Sequence, residues 1–228
     1  MKDTWTKAFE PLLKLYENRK HPLDYQNRYQ LLVMVILSAR DTDKHINNLA
    51  PTFFEAYPTL QSLSKAAPAD LHPYISKVSG FNKKINWLIE IATELGEDNN
   101  IPWTIHELTK LPGIGRKTAN VIIRESGGVA EGVIVDLHVV RVAPRIGVAV
   151  GSNPEKIEKQ LMDAIPDKQH WNNLGMGISF LGRDICRPKN PKCPECVTNA
   201  FCQYYGQIRI GKTPEAVKTP LKEPKRNF

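Results

Sequence analysis

The stretch that decides the fold is Leu111-Pro112-Gly113-Ile114-Gly115-Arg116-Lys117, a turn between two helical segments. The first segment opens with a capping box, Thr104-x-x-Glu107, and the second runs from about Arg116 to Arg124. Glycine permits positive φ and close backbone approach, and the unpaired N–H groups that begin a helix attract phosphate. With apolar Ile114 as an anchor, the pattern predicts a helix-hairpin-helix motif that holds a DNA backbone without reading its sequence.

Helical patterns also dominate the rest of the chain. Tyr29 to Ala39 is apolar nearly all round, which predicts a helix buried at the centre of a bundle. Asn153-Pro154-Glu155 supplies an N-cap, a first-turn proline and an acidic residue, and so begins another helix. Further helices are predicted near Ile85–Leu95, near Trp171–Leu181, and from about Asp136 until Pro144 ends that helix. Strand signals are scarce, so the sequence predicts an all-α protein.

Composition excludes several classes of protein. The 228 residues are 41% hydrophobic and 24% charged, which is ordinary for a globular chain and excludes general disorder. The longest apolar run, Leu31 to Leu37, is far below the ~20 residues that span a bilayer, and the first residues resemble no signal peptide. We therefore expect a soluble, cytoplasmic protein with no membrane partner. The formal net charge of +7 favours a polyanionic partner.

All four cysteines lie in one segment: Cys186, Cys193, Cys196 and Cys202, spaced C-x6-C-x2-C-x5-C. Disulfides need an oxidising compartment, so the cluster predicts a metal site of zinc or iron–sulfur type. Zinc sites favour two tight cysteine pairs and only one is present here, so the spacing favours a 4Fe–4S cluster while leaving zinc open. Lys189 and Lys192 lie on the first loop, where they either contact DNA phosphates or balance the thiolates.

Three stretches together resemble the endonuclease III family of the helix-hairpin-helix DNA glycosylase superfamily. They are the hairpin Leu111–Asn120, the segment Val135-Asp-Leu-His-Val-Val-Arg141 and the four-cysteine segment. The resemblance covers roughly Tyr29 to Cys202 and implies two helical domains that flank a DNA-binding cleft, with a structural 4Fe–4S cluster.

The chain is expected to divide into three parts, of which the resemblance implies the first two and composition the third. Residues 22–130 are expected to form a central helical bundle with the hairpin. Residues 1–21 plus 131–206 are expected to form a discontinuous domain that carries the cluster. Residues 207–228 contain six Lys or Arg and two Glu, and we expect them to form a basic, disordered tail.

Position for position, Lys117 matches the family's nucleophilic lysine and Asp136 its essential aspartate. Outside this motif, a first-turn lysine is most often a solvated or phosphate-binding residue, and an aspartate before a helix is most often its N-cap. The resemblance assigns DNA-backbone contacts to Gly113, Gly115 and Arg116. It assigns supporting positions behind the site to Ser38 and His138.

The sequence departs from the family pattern at or near four residues, which are Arg40, Phe81, Leu137 and Pro144. Arg40 stands where a glutamine normally enters the gap left by a flipped base, and arginine donates but does not accept hydrogen bonds. A structural alternative for Arg40 is an ion pair with Asp41 or Asp43. Phe81 matches a wedge residue that pushes between bases, on a loop one residue shorter than usual. Leu137 replaces the threonine that usually follows the aspartate.

These features predict a base-excision DNA glycosylase with abasic-site lyase activity, acting as a monomer on double-stranded DNA that carries a damaged base or abasic site. The expected substrates are oxidised pyrimidines, and the expected location is the nucleoid if the source is bacterial. One alternative, prompted by Arg40, is a glycosylase for mismatched or deaminated bases. Another is a non-catalytic DNA-binding module.

Overall fold

The computed structural model describes residues 4–214, which form helices and turns without a strand, and this confirms the predicted all-α class. The α-helices in chain order are α1 (Thr4–Leu15), α2 (Arg28–Ser38), α3 (Asp43–Ala56), α4 (Leu60–Leu63), α5 (Pro68–Ile75), α6 (Phe81–Leu95), α7 (Ile105–Leu108), α8 (Arg116–Glu125), α9 (Leu137–Ile146), α10 (Pro154–Ala164), α11 (Trp171–Asp184) and α12 (Gln203–Arg209). Three 3-10 turns lie at Asp98–Asn100, Lys168–His170 and Cys193–Glu195. Within residues 4–214, no helix has both the length and the apolarity to cross a membrane.

The chain divides into two compact units. The central unit is Lys20–Val129, and the composite unit joins the residues up to Arg19 to those from Ala130 onward. The central unit therefore contains α2 to α8, and the composite unit contains α1 and α9 to α12. The hairpin belongs to the central unit, and the four cysteines belong to the composite unit.

Helix α2 forms the middle of the central unit. Its residues Tyr29 to Leu37 include eight buried positions, because almost every side of the helix carries an apolar residue. The helix packs against α3, α6 and α8. Its N-cap is Asn27, whose side chain accepts a hydrogen bond from the Gln30 N–H. The predicted buried helix is thus confirmed at the centre of its unit.

The composite unit is built around α11, which packs against both α1 and α9. Helix α11 contains Gly175, Gly177 and Gly182, and neighbouring segments approach it closely at Gly175 and Gly182. Helix α10 starts as predicted, with Asn153 as its N-cap and Pro154 in its first turn. The core of this unit gathers apolar residues from α1, α9, α10 and α11, together with Phe201 and Cys202.

Two sequence expectations fail in the composite unit. Pro144 does not end α9, which continues to Ile146 and stops at Gly147, where φ is 100°. Proline removes a single hydrogen bond near the end of this helix, and the burial of Val142, Ala143 and Ile146 holds the last turn in place.

The disordered tail was expected to begin at residue 207, which is too early. Helix α12 includes Gln207 to Arg209, because Tyr204 and Tyr205 on the same helix pack against the apolar core. The rest of the expected tail beyond residue 214 lies outside the described residues.

Candidate active site and DNA interface

The hairpin is anchored by two buried apolar residues, Leu111 and Ile114, which are 3% and 5% exposed. Between them, Gly113 has φ 77° and lies against the indole of Trp87. A Cβ at this position would come within 2.4 Å of Trp87 Cε3, so only glycine permits this approach. The neighbouring Gly115 is the N-cap of α8 and has open space beside its Cα.

The first turn of α8 carries the two predicted basic residues, Arg116 and Lys117, and both are exposed. The Ala119 N–H donates to the carbonyl of Gly115 and so begins the helix. The outward-pointing N–H groups that begin a helix and the positive end of the helix dipole favour an anion beside this turn. The structure thus presents Gly113, Gly115 and both basic residues on one connected turn of the central unit.

Arg40 lies in the turn after α2 and has φ 61°, a left-handed conformation that is uncommon outside glycine. Its side chain is exposed. Of the two carboxylates expected as alternative partners of Arg40, Asp41 and Asp43, the first pairs with His45 at 2.8 Å. Ser38 lies just before this turn, and its hydroxyl donates to the carbonyl of Val35, so it closes α2 rather than facing solvent.

Asp41 connects the Arg40 turn to the loop that precedes Phe81. Its Oδ2 accepts from the Ser79 N–H at 3.0 Å, while Oδ1 accepts from the Thr42 N–H at 2.8 Å. Burial works against ionisation of this carboxyl, but the hydrogen bonds from Ser79, the His45 ring and Thr42 outweigh it and hold the Asp41 pKa below its ordinary value. The predicted DNA-contacting residues Arg40 and Phe81 therefore lie on two turns that are tied together.

Lys84 is a functional candidate that sequence reasoning missed. It is 4% exposed, and its Nζ donates to the carbonyls of Leu37 at 2.7 Å and Ala39 at 2.6 Å. Burial lowers the pKa of this ammonium group, and the Asp41 carboxylate opposes that effect. Lys84 thus caps the C-terminus of α2 immediately before Arg40. The only signal in the sequence was its place four residues after Gly80, one helical turn into α6.

Phe81 begins α6 after Gly80, whose φ is 69°. Its ring is half-buried and packs edge-on against His72, with ring centroids 5.0 Å apart. The side chain is therefore held from one side and is partly accessible to a ligand.

Asp136 is the N-cap of α9 in the composite unit. Its Oδ1 accepts from the N–H groups of His138 at 2.8 Å and Val139 at 2.9 Å. Its Oδ2 accepts from the hydroxyl of Ser179 at 2.6 Å. Leu137, the next residue, is 85% exposed, which is unusual for a large apolar side chain. Sequence reasoning did not identify Ser179.

His138 contacts another residue of the same helix, Arg141. Its Nδ1 lies 3.2 Å from a guanidinium nitrogen of Arg141. Arg141 also donates to the carbonyls of Gly182 at 2.9 Å and Cys186 at 3.2 Å. The helix that begins at Asp136 is therefore fastened to α11 and to the first cysteine.

The four cysteines line one pocket in the composite unit. Its remaining walls are largely apolar and include Val142, Ile146 and Leu181. In the described part of the chain, no three His, Cys, Asp or Glu side chains are arranged to hold a single metal ion. Four soft sulfur ligands around a pocket, rather than around one point, fit a thiolate-held cluster of several atoms.

Arg145 contributes positive charge to the cysteine pocket. Its guanidinium donates to Cys186 Sγ at 3.6 Å and to the carbonyls of Arg187 at 2.8 Å and Pro188 at 3.1 Å. Burial raises the pKa of Cys202 to about 12 and also raises the pKa values of Cys193 and Cys196. A bound metal or a nearby cation favours the thiolate form of cysteine and so acts against this effect of burial.

The predicted phosphate-contacting lysines of the cysteine segment differ in their surroundings. Both Lys189 and Lys192 are exposed. The Lys192 ammonium forms an ion pair with Glu195 at 3.4 Å. Lys189 comes directly after Pro188, whose carbonyl accepts a hydrogen bond from Arg145. An exposed pair of this kind contributes little stability, so it leaves Lys192 available to exchange Glu195 for a phosphate.

Comparisons with known proteins agree with this geometry. Residues 33–167 match the model of the HhH-GPD superfamily of base excision DNA repair proteins. Endonuclease III of Rickettsia felis is 37% identical and aligns over 90% of this chain and 97% of its own length. Endonuclease III of Synechocystis sp. is 36% identical over 84% of this chain and 88% of its own length, and that of Escherichia coli is 30% identical over 90% and 98%.

Solved structures give the same result. A non-covalent endonuclease III–DNA complex superposes with a TM-score of 0.81 at 30% identity, covering 93% of this chain and 99% of that one. A trapped endonuclease III–DNA covalent intermediate with an estranged adenine superposes with a TM-score of 0.80 at 30% identity, covering 92% and 99%. The chain belongs to the endonuclease III family, within the HhH-GPD superfamily of base excision DNA repair proteins.

Proposed function

We propose that this protein removes oxidised pyrimidines from double-stranded DNA and then cleaves the strand at the resulting abasic site, with Lys117 as the nucleophile and Asp136 as the essential carboxylate. The predicted class, DNA N-glycosylase and abasic-site lyase, is that of the endonuclease III family and is confirmed at that level. The observation that carries the residue assignment is the exposed Lys117 in the first turn of α8, directly after the Gly113–Gly115 hairpin.

The chemistry requires an amine that reaches C1′ of a nucleotide extruded from the duplex. The lone pair of neutral Lys117 Nζ attacks C1′ and forms a C–N bond. The bond between C1′ and the base breaks at the same time, and the base leaves with the electron pair of that broken bond and takes up a proton. Opening of the sugar ring then gives a Schiff base between Nζ and C1′. Loss of a C2′ proton and departure of the 3′ phosphate complete a β-elimination that nicks the strand.

Asp136 supplies the negative charge that this reaction needs. Breaking the glycosidic bond builds positive charge on the sugar, and a fixed carboxylate stabilises such charge without reorganisation. Three hydrogen bonds already orient the Asp136 carboxylate, two from the backbone of α9 and one from Ser179. The group is therefore preorganised for this role.

The remaining predicted DNA contacts fall into two groups, those suited to phosphates and those suited to the gap left by a flipped base. The hairpin backbone at Gly113 and Gly115, with Arg116, suits the phosphate backbone, which fixes position without reading sequence. Lys189 and Lys192 suit phosphates in the same way. Arg40 and Phe81 differ, because a donor-only guanidinium and an aromatic ring on linked turns suit the gap that a flipped base leaves behind.

The cysteine pocket suits a 4Fe–4S cluster held by Cys186, Cys193, Cys196 and Cys202. When bound, the cluster supplies a covalent cross-link for the segment and no step of base removal. The support for this assignment is the shared pocket of all four thiols and the Arg145 guanidinium beside Cys186. Iron and sulfide analysis, together with absorption near the visible–ultraviolet border, would distinguish the cluster from zinc.

Borohydride trapping tests the proposed nucleophile. The wild-type protein is expected to form a covalent adduct with a duplex that contains one abasic site, and Lys117→Ala is expected to form none. Lys110→Ala is the matched control, since Lys110 is an exposed lysine of the same unit seven positions earlier. An adduct that survives in Lys117→Ala would disprove the assignment, and a wild-type protein that binds DNA without forming an adduct would indicate a non-catalytic module.

A second candidate function is excision of mismatched or deaminated bases. Two observations favour it: Arg40 is exposed in a left-handed turn where the family has glutamine, and Leu137 is 85% exposed directly after Asp136. Duplexes with one thymine glycol, one uracil or one G·T mismatch, each with varied opposite bases, separate the candidates. The preferred substrate is expected to be thymine glycol, and Arg40→Gln is expected to change the opposite-base preference.

The monomeric state and a cytoplasmic, nucleoid-associated location stay predictions. Light scattering of the free protein and of its DNA complex checks the first, and the location of a fluorescent fusion checks the second. Binding to double-stranded DNA is supported by the likeness to endonuclease III–DNA structures, whereas preference for damaged DNA requires the lesion panel.

A further inference from the structure

Ser179 carries the one side-chain hydroxyl among the three hydrogen-bond donors to Asp136 described above. It lies on α11, is fully excluded from solvent, and its Oγ donates to Asp136 Oδ2 at 2.6 Å. Hydrogen bonds to a charged group are among the stronger ones in proteins, and the short distance agrees with this. Ser179 is 43 positions from Asp136 in the sequence, so the contact depends entirely on how α11 packs.

Close packing of α11 brings Ser179 within reach of Asp136. A Cβ on Gly175 would lie 2.3 Å from the carbonyl oxygen of Ile134, and a Cβ on Gly182 would lie 2.9 Å from His138 Cβ. Gly175, Ser179 and Gly182 are spaced by four and three residues, so they share one face of α11. This face therefore approaches the segment around Asp136 more closely than larger residues would allow, and a short serine side chain spans the distance that remains.

The three donors on Asp136 occupy different parts of the carboxylate. An ionised carboxylate offers about four acceptor positions, two on each oxygen. The N–H groups of His138 and Val139 both bond to Oδ1, and Ser179 bonds to Oδ2. The two N-cap hydrogen bonds alone fix Oδ1 and leave the carboxylate free to rotate about that oxygen. Ser179 stops that rotation and leaves one acceptor position of Oδ2 for a ligand.

We propose that Ser179 is a positioning residue for base excision: it locks the Asp136 carboxylate in the orientation in which Oδ2 faces the developing positive charge on the sugar. The inference rests on the proposed function, because it assumes that Asp136 acts on the substrate. It assigns Ser179 no contact with DNA. A misplaced carboxylate slows the chemical step while DNA binding is kept, since binding comes from other residues.

The test compares Ser179→Ala with the wild-type holoprotein on a duplex that contains one thymine glycol. The expected result is a single-turnover excision rate roughly 10- to 100-fold lower, which corresponds to the loss of one hydrogen bond to a charged group. The Kd for the duplex is expected to stay within about 2-fold. Ser179→Thr keeps the hydroxyl and is expected to recover most of the rate. If the extra methyl of Thr unfolds the protein, Ser179→Cys gives an intermediate rate, because a thiol is a weak donor.

Tyr16→Phe is the matched control. It removes another hydroxyl-to-carboxylate hydrogen bond to α11, that of Tyr16 to Asp184 at 3.2 Å, without touching Asp136. This variant is expected to excise at the wild-type rate. A wild-type rate in Ser179→Ala, an equal loss in Tyr16→Phe, or a Kd that rises in step with the lost rate would each overturn the inference. A wild-type protein that neither excises a base nor forms an abasic-site adduct would overturn the proposed function and the inference with it.

Discussion

The carboxylate of Asp41 accepts a hydrogen bond from the backbone N–H of Ser79 at 3.0 Å. This bond joins the turn that presents Arg40 to the loop that presents Phe81, beside the two hydrogen bonds from Lys84 to the carbonyls of Leu37 and Ala39. The same carboxylate also pairs with His45, so it is fixed on both sides. Two side chains predicted to occupy the gap left by a flipped base are thereby held as one preorganised unit.

Replacing Asp41 with alanine is expected to loosen the link between the two turns, because only the Lys84 hydrogen bonds to Leu37 and Ala39 then remain. The N–H groups of Ser79 and Thr42 lose their acceptor, which costs about 1–3 kcal/mol of unfolding free energy. We expect weaker binding to a duplex with an abasic site, measured by fluorescence anisotropy. Asp70→Ala is the control, since it removes a carboxylate bond to the Ala67 N–H in the same unit but touches neither turn. Equal loss of DNA affinity in both variants would contradict the prediction.

The stabilising effect of Asp41 is expected to depend on pH. Its pKa in the folded protein is below the ordinary value, so its contribution is complete above the unfolded-state pKa of about 3.9. That contribution is lost as the pH falls through the lowered folded-state pKa. The difference in unfolding free energy between wild type and Asp41→Asn should therefore be constant from pH 7 to about pH 5 and shrink below pH 4. Urea unfolding at several pH values measures it, and a difference that grows in acid would refute it.

Substitution of the two hairpin glycines is expected to have unequal effects. Gly113→Ala places a Cβ 2.4 Å from the Trp87 ring at a φ of 77°, so the hairpin must shift, at a cost of roughly 2–4 kcal/mol. Gly115→Ala meets nothing within 4 Å and is expected to cost under about 1 kcal/mol. Thermal unfolding and DNA affinity report both changes. Similar losses in the two variants would show that Trp87 does not set the requirement for glycine.

Arg145 is expected to help retain the group bound by the cysteines. Arg145→Ala removes the donors to Cys186 Sγ and to two carbonyls of the following loop, so that loop is released near the first thiolate. The visible absorption of the purified holoprotein should then decay about 10-fold faster in the presence of a chelator. Lys159→Ala, an exposed basic residue on α10, is the control and should match the wild type. Unchanged decay in Arg145→Ala would show that the loop holds without this guanidinium.

Much of the local structure follows from short-range patterns. Thr104 is the N-cap of α7 as predicted, with its hydroxyl accepting from the Glu107 N–H at 3.2 Å and donating to the Glu107 carboxylate at 2.8 Å. The buried helix, the hairpin and the grouping of four cysteines are likewise visible in neighbouring residues. The prediction that α9 ends at Pro144 was wrong. The helix-breaking cost of proline is a local effect, and it is outweighed by the burial of neighbouring residues in a core that short-range patterns do not reveal.

The sequence by itself therefore determined which residue types lie on which turn: an exposed lysine after a glycine hairpin, an N-capping aspartate and a quartet of thiols. Only the tertiary structure decided what holds them. Asp136 meets Ser179 across 43 positions, Asp41 meets Ser79 across 38, and Lys84 meets the Leu37 carbonyl across 47. Capping and turn formation depend on residues three or four apart, whereas these hydrogen bonds depend on helix packing that brings distant backbone segments within 3 Å.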